Sequence, residues 1–486
     1  MQYHSTRGHS APVNSAQAVL KGLADDGGLY MMEALPEFDV ESCLKKDTMG
    51  MAAQILGTLL PDISNMETLV SRAYTGKFQT SELTPTEKVG PFTVLELFRG
   101  PTSAFKDVAL CMLPQLLTAA KAEQGMEEEI MILTATSGDT GKAALSGFAD
   151  VEGVSICVFF PNGGVSAVQR AQMVTQQGRN VRVCAVEGNF DDAQTGVKKI
   201  FATCQDGKLL EGKGFRLSSA NSINIGRLAP QITYYFKAYR DLLDRGEIKM
   251  GEKVNFCVPT GNFGDILAGY LAKILGLPVG RLICASNANN VLTDFIRTGT
   301  YDRRRVLCKT DSPSMDILVS SNLERLLYLM SGQNAGLVDG LMRDLNEKGI
   351  YTVPESLKAA IDADFWADFC GDEETAAAIS RVFKEHGYLC DTHTAVAWAV
   401  AENYVNQTGD NAPMVVLSTA SPYKFPAAVL KAIGGEAQGD EFVQMEQLQA
   451  ISGVPIPANL SGLRDLEELH KSVIAKDTML DFVLNR

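Results

Sequence analysis

The sequence predicts an α/β protein in which helices cover parallel sheets, preceded by a helix-rich segment. Three observations predict it. From Phe92 onward, short apolar runs, glycine-containing turns and helical stretches follow one another repeatedly. The runs are apolar on both faces, as expected of parallel strands buried on both sides. Before about residue 90 the pattern differs, with helical stretches at 16–23, 47–60 and 66–73 separated by Gly, Pro and Asp turn signals.

In chain order the strand-like runs are 93–97, 129–135, 154–160, 181–186, 254–258, 281–286 and 413–418. Helical stretches at 105–122, 141–148, 167–177, 190–204 and 266–275 follow most of them. A chain of 486 residues is too long for one compact core. The expected division is a helix-rich domain over 1–90, a large α/β domain over 91–128 and 206–440, a small α/β domain over 129–205, and a C-terminal segment over 441–486. In such folds ligands sit at the carboxyl ends of strands, so the informative residues should follow strands.

Composition removes several function classes. A net charge of −14 argues against broad nucleic-acid binding, which needs a basic face, yet allows a local basic pocket for an anionic substrate. No run approaches the roughly 18–20 apolar residues of a membrane helix. Residues 1–11 are polar, with no apolar signal core behind them, so a cytoplasmic protein is expected. The ten cysteines show no metal-ligand spacing, and Cys157, Cys184, Cys257 and Cys284 sit in strand-like runs as small hydrophobes. The five histidines form no HExxH pair, so no metal site is expected.

Four post-strand loops carry chemistry. In the first, Gly100-Pro101-Thr102-Ser103-Ala104-Phe105-Lys106-Asp107 places Lys106 in the first turn of a helix. The positive end of the helix dipole disfavours a second cation there, which suits a lysine that acts as a nucleophile; a solvated surface lysine is the plain alternative. The second, Thr136-Ser137-Gly138-Asp139-Thr140-Gly141-Lys142, joins a small polar turn to a helix start, an anion cradle or an ordinary N-cap turn. A nucleotide P-loop fails, because Thr136 and Ala143 stand where glycine and Ser or Thr are needed. The third, Gly261-Asn262-Phe263-Gly264-Asp265, lets backbone approach a phosphate ahead of a helix. The fourth, Ser418-Thr419-Ala420-Ser421, sets hydroxyls at the end of a late strand. One phosphate, an aldehyde-reactive lysine and a second anion site together point to pyridoxal phosphate.

The sequence resembles the threonine synthases, in the subfamily with an additional N-terminal domain. The resemblance runs from Met1 to about Phe425. It is carried by Ser5-Thr6-Arg7-Gly8, by Leu23 to Tyr30, by the Lys106 and Asp139 loops, and by Asn221-Ser222-Ile223-Asn224. The glycine loop 261–265 and Ser312-Pro313-Ser314-Met315-Asp316-Ile317 complete it. It implies a fold-type-II, tryptophan-synthase-β-like enzyme that uses pyridoxal 5'-phosphate, with the cofactor between two α/β domains. Position by position it implies that Lys106 bonds the cofactor aldehyde and that Gly261, Asn262, Phe263, Gly264 and Asp265 hold its phosphate. It implies that Thr419 meets the ring nitrogen and that Asp139 stands near the ring oxygen, where a carboxylate would repel unless a proton or a backbone N–H intervenes. Thr136, Ser137, Gly138 and Thr140 would clasp the substrate carboxylate, and Asn221, Ser222 and Arg227 the substrate phosphate. On spacing alone, Ser222 as an N-cap and Arg227 as an outward helix residue read equally well. The implied reaction converts O-phospho-L-homoserine and water into L-threonine and phosphate. A phospho-lyase yielding 2-oxobutyrate and a threonine or serine dehydratase are the alternatives. The expected partner is that small substrate, in a monomer or weak homodimer.

Overall fold

The computed structural model describes residues 1–136, 138–204 and 208–485. Its two large sheets have the predicted parallel character. The six-stranded sheet runs, in spatial order, Phe365–Phe369, Val279–Ser286, Val254–Pro259, Met414–Ser418, Phe92–Glu96 and Thr86–Val89. Only its edge pair, Thr86–Val89 against Phe92–Glu96, is antiparallel. The five-stranded sheet runs Val473–Ala475, Val181–Glu187, Val154–Pro161, Glu129–Ala135 and Phe215–Ser218, parallel throughout. It therefore takes a strand from beyond residue 205 and another from the last fifteen residues of the chain.

The amino-terminal segment holds helices Ser15–Lys21, Thr48–Leu59 and Met66–Tyr74, close to the predicted stretches. It also holds an antiparallel sheet of Gln2–Ser5 between Val13–Asn14 and Tyr30–Met32, which the helix-rich expectation does not include. Strands of two to four residues are too short to show a period of two. This segment is bonded firmly to the rest. Thr6 Oγ1 and Arg7 Nε both donate to Glu324 Oε1, at 2.6 and 3.0 Å, and Arg7 Nη2 donates to Glu324 Oε2 at 2.9 Å.

Strand order decides where the chemistry sits. The late strand Met414–Ser418 inserts between Val254–Pro259 and Phe92–Glu96, so three post-strand loops emerge side by side. Two of them are joined through the backbone. Leu97 N–H donates to Ser418 O (2.9 Å), Phe105 N–H to Thr419 O (2.8 Å) and Ser421 N–H to Ser103 O (3.1 Å). Lys106 then opens the helix Lys106–Glu123, which is buried along nearly its whole length.

That helix packs against Asp139–Phe148 of the small domain through Gly147, where a Cβ would run into the Leu110 carbonyl and no flexible side chain could give way. Gly147→Ala should therefore force the two helices apart. The expected cost is about 1–3 kcal/mol, the usual range for overpacking, read as a lower urea midpoint. An unchanged midpoint would show that the helices can slide at no cost.

Candidate active site

A cavity of about 730 Å³ opens where these loops meet. Lys106 enters it from the first turn of its helix, with Nζ 4.9 Å from the Phe105 ring centroid and no ion pair among the described residues. Burial lowers the Lys106 ammonium from its ordinary value; Asp139 opposes the shift, while Arg227 and Lys424 add to it. An amine so placed holds more of its free-base form at neutral pH than a solvated lysine does. That is the property a carbonyl-reactive nucleophile needs.

The glycine loop follows the strand Val254–Pro259. Phe263 adopts a left-handed conformation at φ 65° before helix Gly264–Ile274, which turns the loop tightly into the helix. Its carbonyls are tied back: Ser320 Oγ donates to Gly261 O (2.7 Å), and the backbone N–H and Nδ2 of Asn322 each donate to Asn262 O (3.1 Å). The N–H groups of Gly261, Asn262 and Phe263 have no protein acceptor among the described residues. Gly261 has no room for a side chain, since a Cβ would lie 2.6 Å from Ser314 O. Below the loop, Tyr234 OH (2.5 Å) and Tyr235 OH (3.1 Å) both donate to Asp265 Oδ1, while the buried Oδ2 is unpartnered. Burial pushes the Asp265 carboxyl up to about 6, against the pull of the two tyrosines.

In the facing loop Thr136 Oγ1 accepts from Gly138 N–H and Gly141 N–H, both at 3.0 Å, and donates to Gly138 O at 3.1 Å. Its hydroxyl thus shapes the loop, leaving Gly138 and Thr140 along the cavity wall. Ser137 lies outside the described residues. Asp139 lines the cavity and forms a 2.8 Å ion pair with Lys424, both side chains being buried. Burial alone would raise the Asp139 carboxyl, but Lys424 and then Lys106 overwhelm it and hold it well below the ordinary carboxylate range. Gln169 Nε2 also donates to Asp139 Oδ1 (3.2 Å). The Asp139 carboxylate is therefore charge-compensated by a buried lysine. Lys142 turns away, its Nζ donating to Gln176 Oε1, and does not line the cavity.

The third wall is the 221–227 segment. The helix cap is Asn224, whose side chain accepts from Gly226 N–H (2.8 Å), so Ser222 is free of that duty. Asn221 and Ser222 line the cavity with Arg227. Arg227 is 4% exposed, not outward-facing. Its Nη1 donates to Ala220 O (2.8 Å) while Nε is buried without a partner. Burial alone pushes its guanidinium down to about 10. Thr419, with its carbonyl bonded to Phe105 N–H, completes the set. A larger cavity of about 1260 Å³ adjoins this one and shares Thr134, Ala135, Gln194, Asn221 and Ile223, but holds neither Lys106 nor the glycine loop.

Sequence reasoning missed three groups here. Lys424 stands three residues beyond Ser421, and a lysine so near the last strand loop was the available signal. His393 lines the cavity, accepts from Ser314 N–H through Nε2 (3.1 Å) and is held at Nδ1 by Asp391 (2.8 Å). Asn322 and Arg325 lie in a segment with no glycine or strand to mark it.

A half-buried lysine without an ion pair among the described residues, unbonded N–H groups on a glycine loop and unpartnered polar atoms of Asp265 and Arg227 fit a phosphorylated, aldehyde-bearing group. Comparison with known proteins agrees. The model of the pyridoxal-phosphate dependent enzymes matches residues 78–420, that of the threonine synthase N terminus residues 2–74, and that of the threonine synthase C-terminal region residues 394–479. A threonine synthase of Pseudomonas aeruginosa is 39% identical over 96% of this chain and 94% of its own length. The human threonine synthase-like 1 is 42% identical over 86% of this chain, which spans only 58% of that longer protein. Among solved structures, a PLP-bound threonine synthase from Brucella melitensis superposes with a TM-score of 0.89 at 39% identity, covering 100% of this chain and 99% of that one. The yeast enzyme gives 0.87 at 33% identity, covering 100% and 97%. The chain belongs to the threonine synthase family of fold-type-II, pyridoxal-phosphate-dependent enzymes.

Lys424→Met tests the electrostatics. It removes a cation that disfavours protonated Lys106 and leaves the Asp139 charge, which favours it, unopposed. The pH at which apoprotein takes pyridoxal phosphate into a borohydride-fixable bond at Lys106 should rise by about one unit. An unmoved or lowered profile would contradict the role given to Lys424.

Proposed function

We propose that this chain is a threonine synthase, converting O-phospho-L-homoserine and water into L-threonine and inorganic phosphate. The observation that carries the reading is Arg227. A buried guanidinium with an unpartnered Nε, lining the same cavity as the glycine cup, offers a second anion site. A serine or threonine dehydratase has one phosphate to hold, that of its cofactor. A substrate that itself carries phosphate uses both.

Lys106 and the 261–265 loop would hold pyridoxal phosphate, with Thr419 at the ring nitrogen and the Asp139–Lys424 pair near the ring oxygen. When bound, the cofactor supplies an electron sink for the substrate nitrogen. The chain's own residues do the rest. Lys106, as a free amine in the cavity, would take the substrate α-proton and return protons as the product forms. The 136–140 loop offers N–H groups at a helix start to the substrate carboxylate. Asn221, Ser222 and Arg227 receive the γ-phosphate. Charge on that group grows as the Cγ–O bond breaks, so donors held rigidly there lower the barrier more than they tighten ground-state binding. A guanidinium suits this better than an ammonium, because two parallel N–H groups match two phosphate oxygens.

Purified holoenzyme given O-phosphohomoserine should release threonine and phosphate in equal amounts. Arg227→Lys, which keeps the charge and loses the fork, should lower kcat/KM at least about 10-fold, or about 1.4 kcal/mol of transition-state stabilisation. Dominant 2-oxobutyrate would assign the phospho-lyase reaction instead. A kinetically silent Arg227→Lys would move the phosphate site elsewhere.

A further inference from the structure

Behind the cavity, out of contact with either anion cup's interior, two buried side chains join segments that are distant in sequence. Asn322 and Arg325 sit at the start of helix Leu323–Met330, and both are 0% exposed. The Asn322 amide donates to Asn262 O of the glycine loop (3.1 Å) and to Ser222 O of the substrate loop (3.2 Å). Its Oδ1 accepts from Arg325 Nη1 (2.6 Å). Arg325 Nη2 donates to Ile223 O (2.5 Å) and its Nε to Tyr30 O of the amino-terminal sheet (3.1 Å).

We propose that Asn322 and Arg325 form one positioning node that shapes both phosphate cups at once. It does so by holding the carbonyls of Asn262, Ser222 and Ile223 away from the anions those loops receive. The inference rests on the assignment of the 221–227 segment to the substrate phosphate. A loop presents N–H groups to an anion only if its carbonyls point elsewhere, because peptide oxygens repel phosphate. Each of these three carbonyls accepts a hydrogen bond from this pair. The arrangement is costly as mere packing. A buried guanidinium loses its hydration, and here it recovers that cost through bonds to a side-chain amide and two backbone carbonyls. Burial lowers Arg325 to about 10, which leaves it a cation at neutral pH. Through Tyr30 O the node also anchors to the amino-terminal domain, whose Thr6 and Arg7 grip Glu324 next to it. That gives the domain a part in the chemistry without its touching the substrate.

Asn322→Asp is the discriminating substitution. It keeps the shape and the acceptor for Arg325 but removes both amide donations and sets a carboxylate against two carbonyls. Two readouts are taken on the holoenzyme. One is competitive inhibition by inorganic phosphate against O-phosphohomoserine. The other is the rate at which the visible cofactor absorbance is lost on dilution. Both should worsen by at least about 5-fold, since each cup loses a buried side-chain hydrogen bond, measured well below the variant's thermal midpoint. Arg227→Lys should weaken phosphate inhibition and leave cofactor loss unchanged. If Asn322→Asp fails to fold, Asn322→Ala should show the same paired loss. A variant that changes only one readout, or neither, overturns the node. Wild-type enzyme that inorganic phosphate does not inhibit overturns the substrate-phosphate assignment itself, which is a separate failure.

Discussion

On the proposed assignment, a pocket that receives phosphate at two loops cannot also show it peptide oxygens. Backbone supplies donors and acceptors in equal number, so each N–H turned toward an anion obliges a nearby carbonyl to find a partner elsewhere. Here those partners are Ser320 for Gly261, Asn322 for Asn262 and Ser222, Arg325 for Ile223, and Phe105 N–H for Thr419. Much of the fold around the cavity can be read as the means of delivering them. The late strand enters mid-sheet to bring Thr419 against the Lys106 loop. The helix that begins at Leu323 brings Asn322 beneath both cups, and the amino-terminal sheet offers Tyr30 O to hold Arg325.

Charge is arranged under the same discipline. Lys106 is proposed to act as a base, and two of the carboxylates near it are bonded elsewhere. Asp139 is ion-paired with Lys424, and Asp107 accepts from Thr102 N–H (2.8 Å) and Thr102 Oγ1 (2.5 Å). Burial raises Asp265 to about 6, with two tyrosine hydroxyls on its Oδ1. Arg227, by contrast, bonds one carbonyl and keeps Nε free. The unsatisfied cationic capacity of the cavity is thus concentrated on the wall assigned to the leaving phosphate.

The parts of this that the sequence revealed share a physical cause. Fully apolar runs marked the inner strands, and the glycine loop, the helix-initial lysine and the post-strand hydroxyls were legible because their local chemistry is unusual. The short strands Gln2–Ser5, Tyr30–Met32 and Phe215–Ser218 were not, since each is set by its neighbours rather than by a period. Spacing left Arg227 ambiguous between surface and site, and only the packing of its helix turn decided it. Lys424, Asn322 and Arg325 act across 60 residues or more, at separations no local pattern encodes. Asp139 was the instructive case: in the sequence its carboxylate has no visible counter-charge, and the structure pairs it with a lysine 285 positions away in the chain.

The most direct test of the two-cup arrangement is a crystal structure of the cofactor-loaded protein equilibrated with inorganic phosphate. Two separate anions are expected. The cofactor phosphate should lie against the N–H groups of the 261–264 loop and the free phosphate against Ser222 and Arg227, with Asn262 O and Ile223 O still bonded to Asn322 and Arg325. Free phosphate bound instead at the 136–140 loop, or a carbonyl of either cup turned into the cavity, would contradict it.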